Sequence, residues 1–211
     1  MKTILGKKMG MTQIFDEEGN VIPVTVIEAG PEVVTQIKTI ETDGYNAIQV
    51  GFEEQKPQRV NKPLTGHFEK AGVTPKKYLA EFIPCEGENY ELGQVITVAE
   101  FEAGSKLDVT GVSKGKGTQG NIKRHHHRRG PMTHGLKHKR LPGGLAAATY
   151  PSRVFKGNQA PGRTGRDTVT VQNVVLVKVI AERNLMLVKG AIPGGKGSLV
   201  RVQYAVKGQT K

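Results

Sequence analysis

The sequence predicts a mainly β protein: a small antiparallel β-barrel lobe with short helices in an insertion, plus a long basic, non-globular extension. Three observations support this fold class. Short runs rich in β-branched residues are separated by turn signals that contain Gly, Pro or Asn, which is typical of an antiparallel barrel or sandwich. Segments that begin with Pro follow the first group of runs. A stretch rich in Gly and positive charge separates the two groups.

The first group of runs predicts three strands, which are Val21–Glu28, Val33–Thr39 and Tyr45–Phe52. Ala29-Gly30-Pro31 and Asp43-Gly44 are the turn signals between them. The pattern then loosens between about residues 53 and 104. Proline is tolerated in the first turn of a helix, so two segments here are predicted as short helices, Pro63–Ala71 and Pro75–Phe82.

The strand pattern returns on both sides of the basic stretch, at Lys106–Val112, Thr168–Ile180, Leu185–Lys189 and Leu199–Val206. The predicted organisation follows from this order. Residues 1–110 form the first part of the barrel lobe, with the insertion at about 53–104. Residues 111–167 form the basic extension, and residues 168–211 supply the returning strands of the barrel.

Positive charge is concentrated in the predicted extension. The chain has 211 residues and a formal net charge of +12, yet no acid occurs between Asp108 and Asp167. Thirteen of the 31 Lys and Arg residues lie in residues 111–166, which leaves 18 bases against 19 acids elsewhere. One segment therefore holds the whole positive excess, and such asymmetry indicates a polyanionic partner.

The predicted extension also lacks the means to build its own core. It has eleven glycines, few large apolar side chains and no sustained apolar period. Such a segment cannot bury enough apolar surface to offset chain entropy, so we expect a partner to order it. Its Lys, Arg and His side chains are the candidate RNA-binding residues: Lys114, Lys116, Lys123, Arg124, His125, His126, His127, Arg128, Arg129, His134, Lys137, His138, Lys139, Arg140, Arg153, Lys156, Arg163 and Arg166.

The histidines raise the alternative of a metal site. His134 and His138 have a helical spacing, and His125, His126 and His127 are adjacent. A divalent cation needs neutral imidazoles and gains from nearby carboxylate or thiolate. Like charges crowd this segment and it contains no acid, so we predict no metal here. These histidines are better explained as hydrogen-bond donors or stacking groups in an RNA groove than as metal ligands.

Two further motifs have weaker explanations. The run KRHHHRR resembles a nuclear localisation or heparin-binding patch, but that interpretation accounts for only a few residues of the acid-free stretch. Gly115, Gly117 and Gly120 match GxGxxG formally, yet a dinucleotide site needs a helix after the third Gly and an acid about 20 residues later. Residues 135–142 contain no acid, so this match is rejected.

Catalysis, membranes and secretion receive no support from the sequence. No nucleophile–base arrangement is indicated, so we predict no enzyme activity, no cofactor and no small-molecule substrate. The lone Cys85 cannot form an intrachain disulfide, and its acidic neighbours predict an inert thiol. No apolar run is long enough to span a membrane, and the first residues do not resemble a secretory signal.

Several motifs together resemble the L-three family of large-subunit ribosomal proteins, in its bacterial or plastid form. They are ILGKKMGMTQIF at 4–15, VSKGKGTQG at 112–120, RGPMTHG at 129–135, RVFKG at 153–157, TVTVQN at 168–173 and LVKGAIPG at 187–194. They occur in the family's order over nearly the whole chain.

The resemblance implies a structural protein of the large ribosomal subunit that is located in the cytoplasm, or alternatively in a plastid. It implies a solvent-side barrel and an extension that enters ribosomal RNA near its 3′ end and reaches toward the peptidyl transferase centre. It also implies early assembly and the neighbours L-fourteen and L-nineteen. The tip of the extension would be Pro142, Gly143, Gly144 and Leu145.

The chain departs from the family pattern at four places. Pro142-Gly143-Gly144-Leu145-Ala146 replaces a Pro-Gly-Ser-Ile-Gly tip, and Thr149 stands where some members carry a methylated Gln. Asn158-Gln159-Ala160 replaces a Lys-Lys-Met run, and Thr164 replaces a Met. The residues alone leave a second hypothesis open, a nucleic-acid-binding factor that works away from the ribosome.

Overall fold

The computed structural model describes residues 2–84, 89–145 and 149–207. The predictions made for Cys85 and Ala146 concern positions outside these ranges. The described chain divides into two compact units. One comprises residues up to Val112 together with those from Thr168 onward, and the other is Ser113–Asp167.

Strands dominate the secondary structure of the described residues. In chain order they are β1 Thr3–Phe15, β2 Val21–Ala29, β3 Glu32–Lys38, β4 Ala47–Glu54, β5 Lys76–Phe82, β6 Val95–Ile96, β7 Lys106–Val112, β8 Thr118–Gln119, β9 Gly162–Arg163, β10 Thr168–Ile180, β11 Leu185–Lys189 and β12 Leu199–Tyr204. The α-helices are α1 Ile40–Asp43, α2 Lys62–Lys70 and α3 Asn121–His125. Short 3-10 turns lie at Pro57–Arg59, Val98–Glu100 and Ala181–Arg183.

Six strands close into an antiparallel barrel in the order β1-β12-β7-β10-β11-β2. Side chains that point into the barrel alternate with side chains that point outward, because successive residues of a strand face opposite sides. Leu107 and Val109 of β7 and Val200 and Val202 of β12 are all buried in one core with Met186 of β11. The predicted fold class, a mainly β protein with a small antiparallel barrel, is confirmed.

The first strand of the barrel has no counterpart among the predicted strands. β1 pairs with β12 over Thr3–Lys7 and with β2 up to Phe15, and its register with β2 shifts between Lys8 and Gly10. A bulge of this kind breaks the two-residue period that predicts a strand. Before the bulge, Gly6 lets β1 approach β2 closely, because a β-carbon at this position would overlap the side chain of Ile27.

A second antiparallel sheet, in the order β5-β4-β3-β6, lies outside the barrel. Its core contains Val34 of β3, Val50 and Phe52 of β4 and Phe82 of β5, with Leu5 of β1 packed among them. The prediction placed β3 and β4 in the barrel and began the insertion near residue 53. In the structure, the strands outside the barrel begin at Glu32. The prediction missed this boundary because β-branched runs indicate that a segment is a strand but not which sheet the strand joins.

One of the two predicted helices is wrong. Pro75–Phe82 was expected to be helical, but Lys76–Phe82 is the edge strand β5, which pairs with β4 in the register Phe52↔Tyr78. The rings of Phe52 and Tyr78 stack with centroids 6.5 Å apart, and such cross-strand pairing outweighs local helix preference. The other helix is confirmed as α2, which buries Phe68.

A buried carboxyl group lies near the start of β3. Glu32 is fully buried and accepts a hydrogen bond from the backbone N–H of Leu5. Its Oε2 has no hydrogen-bond partner among the described residues. Burial raises the pKa of Glu32 from 4.5 to about 8, against the lowering effect of the Leu5 bond, so the side chain is mostly protonated at neutral pH.

Candidate nucleic-acid interface

Residues 113–167, here called the extension, begin and end side by side. The Ser113 N–H donates to the Asp167 carbonyl at 2.9 Å, and the Asp167 N–H donates to the Ser113 hydroxyl oxygen at 3.1 Å. Further along, the Lys116 N–H donates to the Thr164 carbonyl at 2.8 Å. The short strands β8 and β9 continue this pairing, with Thr118 opposite Arg163. The outgoing and returning limbs thus form a narrow antiparallel stem.

Close approach of the two limbs depends on Gly165. Its φ is +78°, a conformation that L side chains rarely adopt, and a β-carbon there would overlap the carbonyl oxygen of Lys114. Glycine is the residue that permits both the backbone angle and the approach. The close pairing of the two limbs therefore requires glycine at position 165.

A one-turn helix beyond the stem holds the returning limb. Asn121 of α3 donates from Nδ2 to the Gln159 carbonyl at 2.8 Å. Arg124 donates from Nη1 to the Ala160 carbonyl at 3.0 Å, and His125 Nε2 lies 3.1 Å from the same oxygen. These bonds converge on the backbone carbonyls of Gln159 and Ala160.

The adjacent histidines have different surroundings. His127 Nε2 lies 2.5 Å from Gln159 Oε1, so it also contacts the returning limb. His126 ends α3 in the left-handed conformation with φ +60° and is exposed. His125 and His127 were predicted to contact RNA, but the structure gives the Nε2 atom of each a partner within the extension. RNA contact by these histidines stays a prediction.

A small loop follows α3. The Gly130 N–H donates to the Lys139 carbonyl at 3.1 Å and closes residues 130–139. A β-carbon at Gly130 would crowd the His138 carbonyl oxygen and the Leu136 side chain. The predicted residues His134, Lys137, His138 and Lys139 lie on this loop, and all four are exposed.

The extension has no apolar core within its described residues, 113–145 and 149–167. Asn121 is the one buried residue there, and its Oδ1 has no hydrogen-bond partner in the described structure. Backbone–backbone hydrogen bonds, together with bonds from polar side chains to the backbone, therefore hold the described extension together. Sequence reasoning did not identify Asn121, because a single polar residue in a Gly-rich segment carries no pattern.

All thirteen Lys and Arg side chains of the extension are exposed. Among the described residues, Arg124 donates to Ala160, and the guanidinium of Arg153 lies 5.8 Å from the centroid of the Phe155 ring. The charged groups of the other eleven Lys and Arg side chains have no ion-pair or hydrogen-bond partner among the described residues. This leaves a dense array of uncompensated positive charge.

The other unit shows the contrasting arrangement. Glu53 accepts hydrogen bonds from Lys7 and Lys77, each at 3.1 Å. Partial burial acts to raise the pKa of Glu53, but the two lysines outweigh it and hold the pKa below its usual value. Lys38 similarly pairs with Glu81 at 2.7 Å. The five ion pairs of the described chain all lie in this unit, where bases and acids are balanced.

The predicted cations occupy four places in the extension. Lys114, Lys116, Arg163 and Arg166 lie along the stem, and Lys123, Arg124, Arg128 and Arg129 lie in and after α3. Lys137, Lys139 and Arg140 belong to the loop or follow it, and Arg153 and Lys156 lie on the returning limb. No acid interrupts any of these groups. Such a surface suits a phosphate backbone, which Lys and Arg contact without reading sequence.

The tip residues Pro142, Gly143, Gly144 and Leu145 are exposed. Gly143 has φ +84°, and a β-carbon at either glycine would meet nothing within 4 Å. The described part of the chain therefore leaves room for a β-carbon at Gly144, whereas the backbone angle at Gly143 favours glycine.

The metal and dinucleotide alternatives gain no structural support. Among the described residues, no group of three or more His, Cys, Asp or Glu side chains is arranged to hold a metal ion. A helix does begin after Gly120, where GxGxxG requires one, but α3 has only five residues. In the described ranges, no helix has the length and apolar character needed to cross a bilayer.

Comparison with known proteins agrees with the sequence resemblance. The profile of the family described as Ribosomal protein L3 matches residues 79–182. The "Large ribosomal subunit protein uL3" of Finegoldia magna is 59% identical over 207 residues, covering 98% of this chain and 99% of that protein. The protein of the same name from Carboxydothermus hydrogenoformans is 58% identical over 208 residues, covering 99% of each. This chain therefore belongs to the ribosomal protein L3 family.

Proposed function

We propose that this protein is a structural constituent of the large ribosomal subunit, not an enzyme, and that it binds the subunit's RNA through the extension. The observation that carries the proposal is the acid-free array of thirteen exposed cations, eleven of them without a polar partner among the described residues. Family membership supplies the ribosomal context.

Electrostatics explain how such an array binds. Each Lys or Arg that neutralises a phosphate releases condensed counterions, so affinity falls with rising salt. A polyanion also supplies the missing negative charge, which lowers repulsion among the cations. The narrow stem and the absence of a described core suit a segment that is surrounded by RNA rather than packed on protein.

The finer assignments follow the family resemblance. The protein would bind near the 3′ end of the large-subunit RNA, act early in assembly and lie beside L-fourteen and L-nineteen. The tip at 142–145 would approach the peptidyl transferase centre. Open space around Gly143 and Gly144 supports a tip that enters a crowded RNA interior.

The alternative is a nucleic-acid-binding factor that works away from the ribosome. Sedimentation of a cell extract containing the tagged full-length chain distinguishes the two. We expect exclusive co-migration with large subunits and ribosomes at moderate salt. A stable pool of free protein, or of protein on short nucleic acids, would contradict the ribosomal assignment.

A further inference from the structure

The extension carries two exposed aromatic side chains that are not part of its array of cations. The Phe155 side chain is 53% exposed and that of Tyr150 is 89% exposed. Exposing aromatic surface to water is unfavourable, and the described extension has no core that could bury these rings. Composition singled out the cations of this segment but not its two aromatic residues.

Phe155 has the more organised surroundings. The Arg153 guanidinium lies 5.8 Å from the centroid of its ring, within the range of a cation–π contact. Lys156 follows directly in sequence and is exposed. Arg153, Val154, Phe155 and Lys156 line an open cleft of about 520 Å³, which is large enough to admit a flat ring. Among the described residues, the cleft therefore combines an aromatic surface with two cations and no acid.

This combination matches the chemistry of a nucleotide. An unpaired base presents a flat π-face that stacks on an aromatic side chain. Its neighbouring phosphates attract Arg and Lys. A protein segment docked on Phe155 would need acids to pair with Arg153 and Lys156, whereas one RNA strand supplies both the ring and the negative charge.

We propose that Phe155 is a stacking platform for an unpaired base of RNA, with Arg153 and Lys156 binding the phosphates beside that base. The proposal rests on the RNA-binding function proposed above and adds a different kind of contact to it. Stacking is largely independent of salt, whereas the phosphate contacts are not. The two contributions can therefore be measured separately.

The first experiment measures affinity for in vitro transcribed large-subunit RNA across a range of salt concentrations, using the full-length chain. Phe155→Leu keeps an apolar side chain but removes the π-face. We expect affinity to fall roughly 5- to 150-fold, the range for loss of one stacked base, with an unchanged slope of log K against log salt. Arg153→Gln is the matched variant, and it should reduce the slope by roughly 0.7 to 0.9.

The second experiment uses the absence of tryptophan from this chain. Phe155→Trp introduces a single indole, whose fluorescence should be quenched when a base stacks on it. Phe15→Trp is the control, because Phe15 is 67% exposed but is followed by Asp16, Glu17 and Glu18. We expect quenching by the RNA at position 155 and none at position 15.

The results separate the stacking platform from the general RNA-binding function. If the wild-type chain binds the RNA but Phe155→Leu binds equally well, or the indole at 155 is not quenched, the platform is wrong and the general function stands. If Phe155→Leu changes the salt slope and not the salt-independent affinity, the residue acts through the neighbouring cations and the platform is again wrong. If the wild-type chain itself shows no salt-dependent binding, both proposals fail.

Discussion

The carbonyl oxygen of Lys114 lies directly against Gly165, so that the two limbs of the extension touch backbone to backbone where the stem begins. Any side chain at position 165 must displace that oxygen. The contact is flanked by the paired Ser113 and Asp167 and by the bond from Lys116 to Thr164. The geometry of the stem therefore depends on one residue without a side chain.

Gly165→Ala should open the stem. Alanine costs about 1–2 kcal/mol for the left-handed backbone alone, and overlap with Lys114 adds to this. Gly117→Ala is the matched control, because Gly117 has φ +69° but nothing within 4 Å of a β-carbon. Amide hydrogen exchange at Lys116 and Thr164 should accelerate much more in Gly165→Ala than in Gly117→Ala. Equal protection in the two variants would show that the contact does not hold the stem.

Asn121→Ala should release the returning limb near Gln159. The substitution removes the 2.8 Å bond to the Gln159 carbonyl, and loss of one such bond costs about 1 kcal/mol. Proteolysis within residues 153–163 should become faster in the free protein. His126→Ala is the control, since His126 is exposed and has no hydrogen bond in the described structure. Similar cleavage rates in both variants would argue against the role of Asn121.

Glu32→Gln should change how stability depends on pH. The folded-state pKa of Glu32, about 8, lies above its ordinary value of 4.5. The folded protein therefore retains a proton that the unfolded chain loses, and Glu32 lowers stability increasingly as pH rises from about 4.5 to 8. The effect is at most about 1.4 kcal/mol per pH unit. Glutamine keeps an acceptor for the Leu5 N–H but has no titrating group.

Urea unfolding between pH 5 and pH 8 measures this effect. The stability advantage of Glu32→Gln over the wild type should grow steadily with pH across that range. A difference that stays constant with pH would show that Glu32 does not carry the shifted titration.

Gly144→Trp should leave the barrel stable but disturb the assembled subunit. A β-carbon at position 144 meets no atom of the described chain within 4 Å, so we expect the larger side chain to be limited mainly by the RNA around the tip. We expect slower late maturation, or altered peptidyl transfer, together with changed chemical probing of the RNA at the catalytic centre. Gly144→Ala should behave like the wild type. Wild-type behaviour of the tryptophan variant in all three measurements would contradict a tip inside the RNA.

The sequence predicted three barrel strands at their observed bounds, Lys106–Val112, Thr168–Ile180 and Leu185–Lys189. Their β-branched residues repeat between clear turn signals. β1 escaped prediction because its bulge and its run of Gly, Lys and Met interrupt the repeat. β5 was predicted as a helix because a Pro-initiated polar segment fits either structure until its cross-strand partners are known.

The candidate nucleic-acid interface was also predicted only in part. Its cations are visible in the sequence because charge is a property of the residue type alone. The stem and the contacts of α3 with the returning limb are not visible, because they depend on the backbone carbonyls of Thr164, Gln159 and Ala160, which no side-chain pattern reveals. The roles of Asn121 and Gly165 come from geometry, and each is a single residue without a repeat.

Removing the extension tests the central claim most directly. Ser113 and Asp167 are hydrogen-bonded to each other, and Val112 pairs with Thr168 in the barrel, so residues 114–166 can be replaced by Gly-Gly as a tight turn. Binding of large-subunit RNA is then measured across salt concentrations for both proteins. If half of the thirteen cations contact phosphate, the wild-type slope should be steeper than about −4. We predict that the shortened protein folds and loses most of that slope, whereas unchanged affinity and slope would contradict the assignment of RNA binding to the extension.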